Sequence, residues 1–236
     1  NTQNGFATQE QDTKATALFG NLSYEVSPAL KLRGGLRWTK DKKDYIADRV
    51  QAPPFSPPFI GRRTANTSDS NTSFDVAGTY EIDKDVNLYA RVATGFRAPS
   101  IQGRLLFGDT PSVADSETVR SFEAGVKADL LDRRARIAAN VFTYQIKDQQ
   151  FTAVGGAANF NQLVNAAKGV GQGFEIDGQL AATDNLLLTF NASLNKTKIK
   201  DPTLRVDACG SGCTVLDPII VPADPANGRF SPNVAI

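Results

Sequence analysis

The chain contains four pairs of segments in which apolar and polar residues alternate, and this period of two predicts strands rather than helices. A short segment of turn-forming residues joins the two members of each pair. Longer segments rich in Pro, Gly, Asn and Ser separate one pair from the next. The sequence therefore predicts an all-β chain of antiparallel hairpins. The predicted strand pairs are 13–26 with 30–40, 72–82 with 86–97, 118–130 with 134–147, and 171–181 with 186–198.

Strand length and loop length favour an outer-membrane barrel over a soluble β-sandwich, in which residues would alternate in the same way. The predicted strands have about 10 to 13 residues, whereas soluble strands usually have about 5 or 6 and membrane-crossing strands need about 9 to 11. Short turns also alternate with long loops, as they do in outer-membrane barrels. The pattern predicts an antiparallel, up-and-down transmembrane β-barrel.

The cost of placing charge in lipid assigns the two faces of these strands. An Arg on the lipid-facing side near mid-membrane costs roughly 2–4 kcal/mol, so charged positions are expected to face a wet lumen and the alternate positions to face lipid. The expected lumen residues are Arg33, Arg91 and Lys127, and the expected lipid-facing residues are Leu32, Val92 and Val126.

Aromatic residues at the apolar positions collect near strand ends, which is typical of the interfacial girdles of membrane barrels. Phe190 lies in the middle of its predicted strand and does not fit this pattern. The girdle residues are Trp38, Phe74, Phe96 and Phe122 towards the long loops, and Tyr24 and Tyr80 towards the short turns.

Histidine is absent from the 236 residues, which excludes Ser-His-Asp and Cys-His catalytic arrangements and every metal site that uses His. The net charge of +1 gives no electrostatic reason to expect nucleic acid as a partner. No segment approaches the roughly 20 consecutive apolar residues of a membrane helix. We therefore expect a protein that is not an enzyme and that holds no cofactor or metal.

Cys209 and Cys213 are separated by Gly-Ser-Gly. Two cysteines alone are too few ligands for a typical zinc site, and a loop of this composition suits a disulfide. A disulfide would fit an oxidising compartment such as the periplasm or the cell surface. Free thiols and metal binding are the alternatives.

Four motifs in order resemble those of TonB-dependent outer-membrane receptors. The first is Gly95-Phe-Arg-Ala-Pro99 at the end of a strand, and the second is the Glu-x-x-x-Ser-aromatic-Glu-x-Gly-x-Lys pattern of 117–127. The strand 140–148 follows, and then Asn165 with Gly-Gln-Gly-Phe-Glu at 171–175. The resemblance covers most of the chain, and no single one of these motifs would be specific on its own.

The resemblance implies a 22-stranded barrel that encloses an N-terminal plug. A barrel of this size has a lumen wide enough to hold a plug. Residues 1–236 are expected to be part of this barrel domain, with about eight strands and the start of a ninth near Phe230. The plug and the final strands are expected to lie outside this chain. A partial barrel of this kind is expected to form a curved open sheet or a forced small barrel.

The resemblance also implies a receptor in the bacterial outer membrane that takes up a scarce nutrient with energy from TonB. A ferric siderophore is the expected ligand, with cobalamin, haem and glycans as alternatives. The implied partners are outer-membrane lipid, the plug domain, the TonB complex through the N-terminal region, and the small-molecule ligand. The other hypothesis is a self-contained barrel of about eight strands that serves as a structural protein or a passive pore.

Three lumen residues near the outer half of the barrel are candidate ligand contacts: Tyr89, Arg91 and Arg97. Arg binds carboxylate and phosphate groups with two parallel hydrogen bonds, so these residues could contact an anionic ligand. Packing against the plug or a loop is the alternative. The glycine-rich stretch 169–173 is expected to end a loop and to let the following strand bend, because no helix follows it as a nucleotide site would require.

Overall fold

The computed structural model describes residues 5–51, 59–103, 110–155 and 160–204. Cys209, Cys213 and Phe230 lie outside the described residues, so the predicted disulfide and ninth strand are untested. A search of the described residues for a helix that could span a membrane finds none. The strands are β1 (Gly5–Ser27), β2 (Leu30–Gln51), β3 (Phe59–Asp83), β4 (Val86–Arg97), β5 (Ser100–Gln102), β6 (Ser112–Ala114), β7 (Glu117–Leu130), β8 (Ala135–Gly155), β9 (Phe160–Thr183) and β10 (Leu186–Ile199).

Eight of these strands form one sheet in the order β1-β2-β3-β4-β7-β8-β9-β10, and every neighbouring pair is antiparallel. The predicted all-β, up-and-down architecture is therefore confirmed, including all four hairpins. β1 and β10 lie at opposite edges and do not pair with each other. The sheet is open, as expected of part of a barrel, and its eight strands do not close into a small barrel.

Five strands are much longer than predicted. β1, β2, β3, β8 and β9 each have between 21 and 25 residues. The stretch 64–71, predicted as loop, lies inside β3, and most of 149–169 lies inside β8 and β9. These loop predictions were wrong because the strands continue past the stretch in which apolar and polar residues alternate regularly. Backbone hydrogen bonds between strands do not require alternating apolar and polar residues. The alternation in the sequence therefore ends before the strand does.

The register confirms the assignment of the two faces. Directly opposed residues of antiparallel strands share a face. One row of opposed residues is Ser23, Arg33, Ala77, Arg91, Glu123, Phe142, Gly173 and Asn195, and the neighbouring row on the opposite face is Tyr24, Leu32, Gly78, Ala90, Ala124, Val141, Phe174 and Leu194. We call these the polar face and the apolar face. Phe190, which does not fit the girdles, packs over Gly178 on the neighbouring strand, where a Cβ atom would collide with its ring.

A short second hairpin, which the sequence did not predict, lies between β4 and β7. β5 and β6 pair with each other within the segment that joins those two strands. We call residues 98–103 and 110–116 the inserted hairpin. Most of the buried apolar side chains of the described chain lie around it or at the same end of the sheet: Tyr45, Ala47, Ala114, Ala166 and Ile199.

Candidate functional site

Three adjacent strands of the polar face carry a shared carboxylate. Asp75 of β3 accepts a hydrogen bond from Nε of Arg91 at 2.6 Å, and Nη2 of Arg91 lies 2.5 Å from the same oxygen. The other oxygen of Asp75 lies 3.4 Å from Nη2 of Arg33 on β2. Arg91, a candidate ligand contact, is therefore held by an acceptor within the wall. Charge-assisted contacts of this kind are stronger than neutral hydrogen bonds.

Tyr89, the second candidate, is also held within the wall. Its hydroxyl donates a hydrogen bond of 2.6 Å to Glu123 on β7. Its ring covers Gly125, where a Cβ atom would stand 2.7 Å from the ring, and Nζ of Lys127 lies 5.6 Å from the ring centroid. The missing side chain at Gly125 thus leaves room for the tyrosine ring to cover the neighbouring strand.

The same arrangement recurs further along the polar face. The rings of Phe142 and Tyr144 on β8 cover Gly173 and Gly171 on β9. The two ring planes differ by 10° and their centroids are 6.3 Å apart. These glycines lie well inside β9, so the prediction that they end a loop was wrong. Their role is to accept an aromatic ring from the neighbouring strand, a known way of stabilising glycine in sheets.

Arg97, the third candidate, is the least engaged. Its Nη1 lies 3.9 Å from Oε2 of Glu117, and its side chain is 60% exposed. Glu117 is occupied elsewhere, because the same oxygen accepts a hydrogen bond of 2.7 Å from the backbone N–H of Gln150. Arg97 lies at the end of β4, beside the inserted hairpin. Of the three candidates, it has the most freedom to bind an anionic group.

Polar side chains of β2 and β3 hold one side of the inserted hairpin. Lys43 donates hydrogen bonds to Asp41 at 2.5 Å and to the carbonyl oxygen of Pro99 at 2.8 Å. The Tyr45 hydroxyl donates to the carbonyl oxygen of Gly103 at 2.6 Å, and burial raises the pKa of this hydroxyl, so it stays a donor. Ser116 donates to Asp69 of β3.

Gln150 of β8 holds the other side. Its Nε2 donates to the carbonyl oxygens of Ala98 and Asp115, both at 2.9 Å, and its Oε1 accepts from Ser100 at 2.8 Å. Asn165, directly opposite Gln150 on β9, accepts from the backbone N–H of Asp115 at 2.8 Å. The inserted hairpin is therefore tied to both groups of long strands, β2–β3 and β8–β9.

The motifs that carry the family resemblance meet at this point. The Gly-Phe-Arg-Ala-Pro motif supplies the carbonyls of Ala98 and Pro99, the second motif begins with Glu117, and Asn165 belongs to the fourth. Sequence reasoning missed Lys43, Tyr45 and Gln150, which complete the arrangement. They lie in stretches without clear alternation, and only the folded structure shows that they are buried or nearly so.

The side chains of the polar face can recognise another molecule through charge and hydrogen bonding. Arginine, tyrosine and carboxylate side chains alternate along one face, where water and a ligand or a second domain could contact them. Within the described ranges, no group of three or more His, Cys, Asp and Glu side chains is placed to hold a metal ion.

Comparison with solved structures finds receptors of similar fold at low sequence identity. The ferric yersiniabactin uptake receptor FyuA from Yersinia pestis matches with a TM-score of 0.68 at 16% identity, over 81% of this chain and 28% of its own. The ferric-catecholate import receptor Fiu from E. coli, in its closed form, matches with a TM-score of 0.62 at 15% identity, over 82% and 29%. The alcaligin outer membrane receptor FauA from Bordetella pertussis matches with a TM-score of 0.53 at 15% identity, over 80% and 31%.

This chain thus spans less than a third of the length of each of these three receptors. At such low sequence identity, the structural similarity shows only that this chain and these receptors share a fold. The family model described as TonB dependent receptor-like, beta-barrel, matches residues 1–212, which is most of the chain. The chain therefore belongs to the TonB-dependent receptor family and forms part of its β-barrel.

Proposed function

We propose that this chain is part of the wall of a bacterial outer-membrane receptor that imports a ferric siderophore with energy from the TonB complex. In this proposal the apolar face contacts membrane lipid and the polar face lines the lumen. The complete protein would add further barrel strands and an N-terminal plug, through whose N-terminal region TonB acts. The short turns would face the periplasm and the long strands would project outside, as in other outer-membrane barrels.

The observation that carries this proposal is the division of the sheet into two faces. Rows that contain Leu32, Val126 and Phe174 lie on one side, and rows that contain Arg91, Glu123 and Glu175 lie on the other. A soluble sheet would cover its apolar face with a second layer, but most of the large apolar side chains of this face are exposed. Lipid is the environment in which such a face is stable, while the charged face needs water or a charged partner.

The ligand class is supported by the names of the matched receptors. FyuA and Fiu are described as receptors for ferric yersiniabactin and for ferric catecholates. Arg97 is our first choice among the candidate contacts, since its guanidinium is exposed and only weakly paired. Tyr89 and Arg91 would contact the ligand or the plug while remaining bonded to Glu123 and Asp75.

We also propose that Cys209 and Cys213 form a disulfide, which would shorten the effective length of the segment that follows β10. The support is the loop composition and the oxidising compartment that the localisation implies. Mass spectrometry of the full-length protein after alkylation, with and without prior reduction, tests this pairing. Alkylation of both thiols without reduction would rule it out.

The test of function is deletion of the full-length gene in the source bacterium, followed by growth under iron limitation. Each culture receives one ferric siderophore, haem, cobalamin or a glycan as the limiting nutrient. We expect lost growth and lost radio-iron uptake with one siderophore class, restored by the intact gene but not when the TonB complex is inactivated. Normal growth with every siderophore, combined with a defect on cobalamin, haem or a glycan, would reassign the substrate.

A further inference from the structure

The sheet has a gap between β3 and β8, at the end where the inserted hairpin lies. β4 and β7 lie between these two strands, but β4 ends at Arg97 and β7 begins at Glu117. β3 and β8 continue well beyond that level, and β3 pairs with β4 only as far as Asp75 and Ala93. With two strands between them, β3 and β8 are three strand spacings apart, about 14 Å. We call this gap the slot.

Every second backbone N–H group of β3 points into the slot. The N–H of Glu81 donates to the carbonyl oxygen of Ala29, just before β2, so the odd-numbered N–H groups of β3 point towards β2. Because N–H groups alternate in direction along a strand, the even-numbered ones point to the other side. Phe74 has this direction, since its N–H donates a hydrogen bond of 2.9 Å to the hydroxyl of Thr94 on β4.

Beyond Phe74, no strand pairs with these N–H groups. That of Ser70 donates to the carboxylate of Asp69 at 2.7 Å. On the opposite side of the slot, the N–H of Gln150 donates to the carboxylate of Glu117, also at 2.7 Å. Two carboxylates therefore occupy places that a neighbouring strand would fill. The other slot-facing N–H groups between 64 and 72 have no acceptor in the part of the chain that the structure describes: Thr64, Asn66, Ser68 and Thr72.

The geometry of the slot restricts what can fill it. Unpaired backbone groups in hydrocarbon cost several kcal/mol each, so the slot lies in water. On the lumen side, Asp69 of β3 and Gln150 of β8 both bond to the inserted hairpin, which therefore separates the slot from the lumen. A gap of about 14 Å has room for two strands, which is too narrow for the eight-stranded sheet of a second copy. What fits is an extended segment that enters from outside.

We propose that the slot binds an extended strand of a partner protein, which pairs with the edge of β3. Carbonyl oxygens of the partner accept the four free N–H groups, and main-chain hydrogen bonds of this kind give affinity when a strand is added to a sheet. Natural sheet edges are often protected from such pairing by Lys or Pro. Residues 64–73 contain neither, and only Asp69 among them is charged. This inference goes beyond the proposed function and shares with it only the placement of the long strands outside the cell.

The test uses the full-length receptor in detergent, with a disulfide-cyclised β-hairpin peptide of alternating Thr and Val as the probe. A comparison peptide carries N-methyl groups on its outward-facing amides and cannot pair with an edge. One receptor variant combines Ser68→Pro with Thr72→Pro, which removes two slot-facing N–H groups and spares the odd-numbered ones that pair with β2. The matched control changes both residues to Val and keeps both N–H groups. Heat-modifiable gel mobility and slow exchange of the Thr67 and Asp69 amides check that each variant is folded.

We expect the four free amides to exchange rapidly in the receptor alone and about tenfold or more slowly when the probe is bound. The Pro variant should bind the probe about tenfold or more weakly than the wild type. The Val variant should bind normally, and the methylated peptide should not bind. Slow exchange without the probe would overturn the inference, and so would equal affinity of the folded Pro variant. A receptor that binds the probe but imports no siderophore would refute the proposed function alone, and one that imports but does not bind would refute this inference alone.

Discussion

Lys43 of β2 donates a hydrogen bond of 2.8 Å to the carbonyl oxygen of Pro99, at the point where β4 gives way to the inserted hairpin. The same ammonium is paired with Asp41 at 2.5 Å, and the two side chains are only 16% and 12% exposed. One cation therefore neutralises a nearly buried carboxylate and fixes the start of the hairpin.

Replacing Lys43 by Met should loosen the inserted hairpin, because it leaves Asp41 nearly buried without a partner. Removing one member of a buried pair costs about 3–5 kcal/mol, which corresponds to exchange of the Ile101 and Gln102 amides faster by about 100- to 4,000-fold. Hydrogen exchange of the full-length protein measures this. Lys42→Met is the control, since its pair with Asp44 is exposed and contributes little to stability in water. Equal effects of the two substitutions would contradict the prediction.

Gln150→Glu should weaken the other side of the hairpin. The amide Nε2 donates to two carbonyl oxygens, and a carboxylate in its place would face both without a proton to donate. An unsatisfied buried acceptor costs about 1–3 kcal/mol. Limited proteolysis should cut the variant faster between β4 and β7 than the wild type. Gln11→Glu, at an exposed position on β1, should leave the cleavage rate unchanged.

Alanine should be poorly tolerated at the glycines that lie under aromatic rings. A Cβ atom at Gly173 would stand 2.6 Å from the Phe142 ring, and one at Gly171 would collide with the Tyr144 ring. Overpacking of this kind costs about 1–3 kcal/mol. Urea unfolding of the full-length protein in lipid vesicles should show the loss. Gly34→Ala is the control, since nothing lies within 4 Å of its Cβ position. Adding Tyr144→Leu to Gly171→Ala should restore part of the lost stability.

Asp201 should make the end of β10 sensitive to acid. Its side chain is buried and accepts hydrogen bonds from the backbone N–H groups of Ala167, Thr203 and Leu204. These bonds, that of Ala167 first, hold the pKa of Asp201 below its ordinary value.

A lowered pKa means that the stabilisation is complete above the ordinary Asp value of about 3.9 and is lost as the pH falls through the lower folded value. Protection of the Ala167 amide, corrected for intrinsic exchange, should stay constant from pH 7 to about 5 and fall below about 4. Asp201→Asn should remove this pH dependence. A decline that begins between pH 7 and 6 would point to a different group.

Arg97→Ala should weaken ligand binding while leaving stability nearly unchanged. Its guanidinium is exposed and lies 3.9 Å from Glu117, so little is lost from the fold. A hydrogen bond to a charged ligand is worth about 1.5–3 kcal/mol, which predicts affinity reduced by about tenfold or more. Titration of the full-length receptor with its ferric siderophore measures this. Arg62→Ala, also exposed and paired with Asp48, should bind normally. Unchanged affinity in Arg97→Ala would remove Arg97 from the ligand site.

The sequence predicts correctly those strands in which every second side chain lies in apolar surroundings. In these strands apolar and polar residues must alternate, and this alternation can be read from the sequence. The four hairpins and the faces of Arg33, Arg91 and Lys127 follow from that constraint. The extensions of β3, β8 and β9 could not be predicted, because apolar and polar residues do not alternate regularly there and backbone pairing continues without that pattern.

The candidate site was predictable in composition but not in arrangement. Alternation placed Tyr89, Arg91 and Arg97 on one face, but their partners come from other strands. Asp75 is 16 residues from Arg91, and Gln150 is 52 residues from Ala98. Only the register of the sheet brings these residues together. The inserted hairpin was missed for the same reason, since its stability comes from distant polar side chains.

The shared carboxylate of Asp75 constrains how this sequence can diverge. Because it serves both Arg33 and Arg91, a mutation that removes it leaves two positive charges without a partner on β2 and β4, the strands on either side of β3. Replacement of either arginine alone leaves Asp75 paired with the other arginine. A substitution of Asp75 should therefore be inherited together with substitution of at least one of the two arginines. Across homologous receptors, charged residues of the polar face would then change together, in groups that keep the local charge balanced. Residues of the apolar face would change one at a time.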